Sequence, residues 1–199
     1  GHEHIVDVVD FNVASSGVPY MVLELLEGED LGTRIKRRGQ MSPAELRPIL
    51  DQVADALEAA HGRGVIHRDL KPQNIFLCRR GGRDDFVKIL DFGISKIVHS
   101  PSVVTQAGTV FGTPNYMSPE QAQGPGVDLD PRTDVFTLGV VCYEALTGQL
   151  AFDGSSAAAT LYKVCHTDPI PPRSIAPDLP PSIEAVVLRT MAKAVEDRW

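Results

Sequence analysis

Residues 4–11 place Ile5, Val6, Val8, Val9 and Phe11 among only a few polar residues, and this β-branched, partly alternating run predicts a strand. Ser15, Ser16 and Gly17 mark a turn. Residues 19–26 then predict a returning strand, so the chain opens with an antiparallel hairpin. Residues 27–30 break it. A short basic helix is expected over 31–38, ending at Gly39, with Arg34, Lys36, Arg37 and Arg38 on a solvated face. A stronger helix follows. Ser42 is a good N-cap, Pro43 suits the first turn, and Glu45 completes a capping box. Leu46, Ile49, Leu50, Val53, Leu57 and Ala60 recur every three or four residues, giving one buried face. Pro48 removes one backbone hydrogen bond inside this helix, and Gly62 and Gly64 stop it.

Beyond it, residues 74–78 and 86–90 read as paired strands across a polar turn. Residues 93–131 show no sustained period and carry many Gly, Pro, Ser and Thr, the mark of a functional or irregular segment. Residues 134–146 are apolar nearly all round, hence a buried helix. Ser156 caps a further helix to about Thr167. Prolines at 169, 171, 172, 177, 180 and 181 demand a loop, and Ser182 is expected to cap a last amphipathic helix through Ala194. The fold class is therefore α+β, a mostly helical lobe with a fragment of sheet attached.

Composition narrows the function. The 199 residues are 43% hydrophobic and 23% charged, which suits a folded chain rather than a disordered one. Against 19 Lys and Arg stand 26 Asp and Glu, a net charge of -7, which disfavours non-specific nucleic-acid binding. Cys78, Cys142 and Cys165 are odd in number and form no C-x-x-C, so a reducing, cytoplasmic setting fits. Residues 135–146 are too short to span a bilayer and contain Glu144, so no membrane contact is expected from this segment. The first residue is not Met and the last follows a charged run, so the chain reads as a piece of something longer.

The chemistry concentrates in Val65-Ile66-His67-Arg68-Asp69-Leu70-Lys71-Pro72-Gln73-Asn74, between the long helix and the strand pair. Asp91-Phe92-Gly93 follows the second strand. Gly112-Thr113-Pro114-Asn115-Tyr116-Met117-Ser118-Pro119-Glu120 comes next, then Asp134-Val135-Phe136-Thr137-Leu138-Gly139, and Arg198 near the end. Together, in this order, they resemble the catalytic loop, D-F-G, A-P-E segment (Ser118 replacing Ala) and buried helix of eukaryotic-type serine/threonine protein kinases of the bacterial kind. The resemblance runs the length of the chain.

It implies a protein-kinase-like fold, with residues 1–26 the last strands of an N-terminal lobe and its hinge, and 27–199 the C-terminal lobe. It also implies ATP and Mg²⁺ as cofactors and phosphoryl transfer to Ser or Thr of protein substrates. Asp69 would accept the substrate hydroxyl's proton, Lys71 would neutralise the γ-phosphoryl group, and Asn74 and Asp91 would hold the metal. Along the hinge, Leu23 would be the gatekeeper, Glu24 and Leu26 would offer backbone groups to adenine, Asp30 would reach the ribose and Phe76 would floor the pocket. Arg68 would meet a phosphate on an activation segment from 91 to 120, with Thr105 and Thr109 the best acceptors and Ser102 behind them. Thr113 would touch Asp69 and Lys71, and Glu120 would pair with Arg198. His67, Phe92 and Val8 would stack between the lobes, with Asp134 anchoring His67 from below. Lys71 and Thr113 favour a Ser/Thr over a tyrosine kinase, and the A-P-E segment argues against small-molecule kinases.

Residues 1–199 carry no Gly-rich phosphate loop, no V-A-I-K lysine and no glutamate-bearing helix to pair with it. The piece is therefore expected to be inactive alone. Its parent is open to dimerising for trans-autophosphorylation and to membrane anchoring by other regions. The alternative is a catalytically inert kinase-like module that binds a partner. Intact Asp69, Lys71, Asn74 and Asp91 weigh against it.

Overall fold

A computed structural model describes residues 1–80, 82–92, 114–124 and 126–199. The opening hairpin forms from β1 (Val8–Val13) and β2 (Pro19–Leu23), antiparallel, with a bulge between Val8 and Asp10. Both strands are shorter than expected. Residues 4–6 leave the hairpin to run beside a later strand: the Val6 N–H donates to the Ile89 carbonyl at 3.0 Å, and the Ile89 N–H to the His4 carbonyl at 2.8 Å. Residues 24–27 are an extended link rather than more strand.

The link ends in an element the sequence reading missed. Gly28–Asp30 is a short strand, β3, and it heads a second sheet with β4 (Ile75–Arg80) and β5 (Arg83–Ile89). Gly28 has φ +154°, and a Cβ there would fall 2.0 Å from the Leu77 carbonyl oxygen, so only glycine lets β3 close on β4.

The helices follow the periodicity more closely. α1 (Leu31–Arg38) is capped by Asp30, whose Oδ1 accepts from the Thr33 N–H at 2.9 Å. Arg34 corrects the expectation of a wholly solvated basic face. Its side chain is 13% exposed, paired with Glu29 and donating to the Asp84 carbonyl, whereas Arg37 remains 60% exposed. α2 (Pro43–His61) opens with the expected Ser42/Glu45 capping box and buries Leu46, Ile49, Val53, Ala56, Leu57 and Ala60. Leu50 is only partly buried. α3 (Pro119–Ala122) is a single turn, capped by Ser118 with Gln121 closing the box.

α4 (Arg132–Thr147) is buried on nearly every side, as its uninterrupted apolar character requires. Gly139 lets it meet the last helix, since a Cβ would lie 2.2 Å from Thr190 Oγ1. α5 (Ala157–His166) is capped by Ser156 as expected. α6 (Pro181–Thr190) is not capped by Ser182. It starts two residues earlier than that cap implies, with Pro180 at the cap position, and ends at Thr190 rather than Ala194. The core joins α2, α4 and the inner faces of β4 and β5 through Ile49, Val53, Leu70, Ile75, Val87, Phe136, Val140 and Tyr143. None of the described helices is long and apolar enough to cross a membrane.

Candidate active site

The loop between α2 and β4 is held from beneath by one buried carboxylate. Asp134, fully buried at the start of α4, accepts from the His67 N–H at 2.9 Å and the Arg68 N–H at 3.0 Å, and its Oδ2 lies 2.7 Å from His61 Nε2. His61 had no signal in the sequence beyond being the last residue of an amphipathic helix. Those bonds hold the loop in an uncommon shape: Arg68 adopts φ +70°, a left-handed conformation that costs a non-glycine residue free energy. Gln121 adds a further tie, donating from Nε2 to the Arg68 carbonyl at 2.7 Å. Ser118 in place of Ala thus belongs to a capping box whose Gln partner steadies this loop.

His67 is fully buried, and burial holds its imidazole pKa below the usual value despite the nearby Asp134 and the Leu90 carbonyl. Its tautomer is set by its neighbours. Nε2 lies 2.8 Å from the Leu90 carbonyl, which can only accept, and Nδ1 accepts from the Asp69 N–H at 3.2 Å. A neutral ring spending both nitrogens this way positions the loop. Phe92 packs edge-on to it with centroids 4.6 Å apart. Val8, expected in the same stack, is 55% exposed.

Above this base the polar side chains converge. Asp69 Oδ2 receives Lys71 Nζ at 2.7 Å and Asn74 Nδ2 at 3.3 Å, and Asn74 Nδ2 also donates to the Asp69 carbonyl at 2.8 Å. The second Asp69 oxygen is left toward solvent, the side chain being 45% exposed. Asn74, nearly buried, points its amide nitrogen inward and so keeps its oxygen available. The Leu90 N–H donates to the Asn74 carbonyl at 2.9 Å, bringing the exposed Asp91, with φ +60°, beside Asn74 at the end of β5.

The remaining expected residues separate into groups. Glu120 and Arg198 form a fork, 2.7 and 2.9 Å, sealed in the core with Thr133 Oγ1 donating to Glu120 at 2.9 Å. Burial would raise the Glu120 carboxyl, but the Arg198 fork and Thr133 outweigh it and hold the carboxyl below its ordinary value. Leu23 ends β2, and Phe76 lies on β4 opposite Asp30 and Lys88. Both Asp30 oxygens are engaged by Thr33. Leu26 lies in the link after β2, partly buried. A cavity of about 520 Å³ opens behind this link, lined by Glu24, Leu26, Cys78, Arg80, Phe86 and Lys88, and none of Asp69, Lys71, Asn74 or Asp91 faces it. Gly93, Ser102, Thr105, Thr109, Gly112 and Thr113 lie outside the described residues. Arg68 Nε is buried and has no hydrogen-bond partner among them.

Known families and proteins bear on the chain as a whole. The protein kinase domain matches residues 1–198. The chain belongs to the protein kinase domain family. It is 45% identical over its whole length to the serine/threonine-protein kinase Pkn1 of Myxococcus xanthus, covering 28% of that protein. It is 42% identical to pkn3 of the same organism, matching 99% of this chain and 37% of the relative. It is 39% identical to PknB of Mycobacterium tuberculosis, over 100% of this chain and 31% of that protein. The kinase domain residues described here therefore span between about a quarter and two-fifths of the curated relatives they match. The α+β kinase fold expected from sequence is borne out by the family match.

Proposed function

We propose that the protein transfers the γ-phosphoryl group of ATP to Ser and Thr hydroxyls of protein substrates. The observation that carries this reading is the convergence of Lys71 Nζ and Asn74 Nδ2 on one oxygen of Asp69. Phosphoryl transfer asks for positioning and charge neutralisation more than for covalent help. With Oδ2 occupied, the outward Asp69 oxygen is the one to accept the substrate hydroxyl's hydrogen bond and then its proton. Lys71, already drawn to Asp69, is placed between that hydroxyl and the incoming phosphoryl group, where its charge offsets the negative charge that builds up.

Kinases of this family use ATP with a divalent metal, and the donors here suit Mg²⁺. The Asn74 amide oxygen and the exposed Asp91 carboxylate are hard oxygen ligands, few enough to leave positions for phosphate oxygens. When bound, the ion neutralises phosphate charge. Asn74 and Asp91 set where it sits.

Residues 1–26 serve as the end of an N-terminal lobe and its hinge, and 27–199 as the C-terminal lobe. The separation of β1–β2 from β3–β4–β5 supports that division. Leu23, the Glu24 carbonyl and Leu26 face adenine, and Phe76 lies beneath it. Arg68, partly exposed but with a buried Nε that has no hydrogen-bond partner among the described residues, receives a phosphate carried by Thr105 or Thr109, which orders the activation segment through charge-assisted bonds. A Thr105→Ala/Thr109→Ala protein should lose activity by about tenfold or more, and full activity would remove that role.

The test is to incubate the full-length protein with radiolabelled ATP, Mg²⁺ and a protein acceptor, and then to identify the labelled amino acid. Label on phosphoserine or phosphothreonine, abolished by chelation, is expected. Label on tyrosine alone, or none, would overturn the reading.

A further inference from the structure

Where the chain leaves β2, it breaks a rule of antiparallel pairing. Val8 faces Leu23, so the next pair outward is Asp7 with Glu24. A hydrogen-bonded antiparallel pair exchanges two backbone bonds. Only one is made: the Glu24 N–H donates to the Asp7 carbonyl at 3.1 Å. The Asp7 N–H turns instead to the Glu24 side chain, donating to Oε1 at 2.9 Å. The Glu24 carbonyl accepts no hydrogen bond among the described residues.

Lys88 holds that carboxylate in place. Its ammonium lies 2.5 Å from Glu24 Oε1 and donates to the Ile5 carbonyl at 3.2 Å. The Lys88 side chain is only 10% exposed, and a lysine so enclosed needs both partners. The Glu24 carboxyl is held below its ordinary value, first by the Lys88 hydrogen bond and then by the Asp7 N–H. Lys88 stands on β5 three residues before Asp91, so one side chain joins the strand that leads to Asp91, residue 5 and the proposed hinge.

We propose that Lys88 is a positioning residue for the nucleotide base: by fixing the Glu24 carboxylate on the Asp7 N–H, it keeps the Glu24 carbonyl free to accept the 6-amino group of adenine. The inference rests on the kinase reading above. Without Lys88 the carboxylate swings to water, and the Asp7 N–H closes the ladder onto the Glu24 carbonyl, turning it toward β1 and competing with the base for it. The device thus acts on which purine is bound, a property that general loosening of the fold would leave alone.

The experiment compares ATP with purine riboside triphosphate, which lacks only the 6-amino group, by steady-state kinetics and by calorimetric binding to the full-length protein. The wild type should favour ATP about tenfold, the worth of one hydrogen bond. Lys88→Met should cut that preference below about threefold, the loss falling on KM for ATP rather than on kcat, and Lys88→Arg should restore it. Glu24→Ala is the second variant and should also level the two nucleotides. The inference is overturned if both Lys88→Met and Glu24→Ala keep the wild-type preference, or if the wild type binds the two nucleotides equally. A wild type that binds ATP in preference but transfers no phosphoryl group would fail the kinase reading alone, since the binding ratio reads the hinge independently of catalysis.

Discussion

The opening hairpin and the helical region are built on opposite principles. All six residues of β1 are exposed, Val9 at 67% and Phe11 at 61%, and the apolar side chains on its strands find few partners among the described residues. In the helical region the polar groups are enclosed instead. Asp134, Thr133 and His67 are fully buried and Arg198 nearly so, each with several hydrogen-bond partners or a fixed place in a network. The site residues follow this division. The loop between α2 and β4, proposed as catalytic, is fixed by buried polar pins that tolerate no slack, because an unsatisfied charge in the core costs several kcal/mol. The stretch proposed as the hinge is held to β5 by the Lys88–Glu24 contact, and the residues before β1 by the short parallel bridge of Ile5 with Ile89.

The comparison breaks most visibly at the Glu120–Arg198 fork. Arg198→Ala leaves a buried carboxylate without its partner and should cost about 3–5 kcal/mol, read as a large fall in Tm. Retention of the wild-type Tm would show that the fork is incidental. The same pair sharpens the contrast through pH. The folded Glu120 carboxyl lies below its ordinary value, so its contribution is present above the unfolded value and is lost as pH falls through the folded one. Urea midpoints should therefore converge between wild type and Glu120→Gln on going from about pH 6 to about pH 3.5, and a constant gap would contradict the assignment. At the other extreme, Val9→Thr in the 199-residue chain should change stability by less than about 0.5 kcal/mol. A cost of the size seen for a core residue would mean that the hairpin packs more tightly than its exposure says.

Much of this division was legible in the sequence. The buried helix announced itself by apolar residues on every side, α2 by its capping box and period, and the family by motifs that only make sense together. What stayed hidden was whatever depends on contacts distant in the chain. Gly28–Asp30 looks like a break because three polar-leaning residues carry no strand period, yet pairing with Leu77 and Cys78 makes it a strand. Arg34 reads as surface charge until Glu29 and the Asp84 carbonyl enclose it. Ser182 is a fair cap by type, but Pro180 and Pro181 already set the helical start two residues earlier. His61 and Lys88 carry no local signal, and their roles arise from Asp134 and Glu24, 73 and 64 residues away in sequence.

The central claim is that the loop pinned by Asp134 presents Asp69 as the group that takes the substrate's proton. The most direct test is the steady-state kinetics of Asp69→Asn in the full-length protein against the wild type. The amide keeps the volume and a hydrogen-bonding partner for Lys71 and Asn74 but cannot take a proton, so kcat should fall by about 100-fold or more, with KM for ATP changed by less than about threefold. A variant that keeps its kcat to within about threefold would contradict the account.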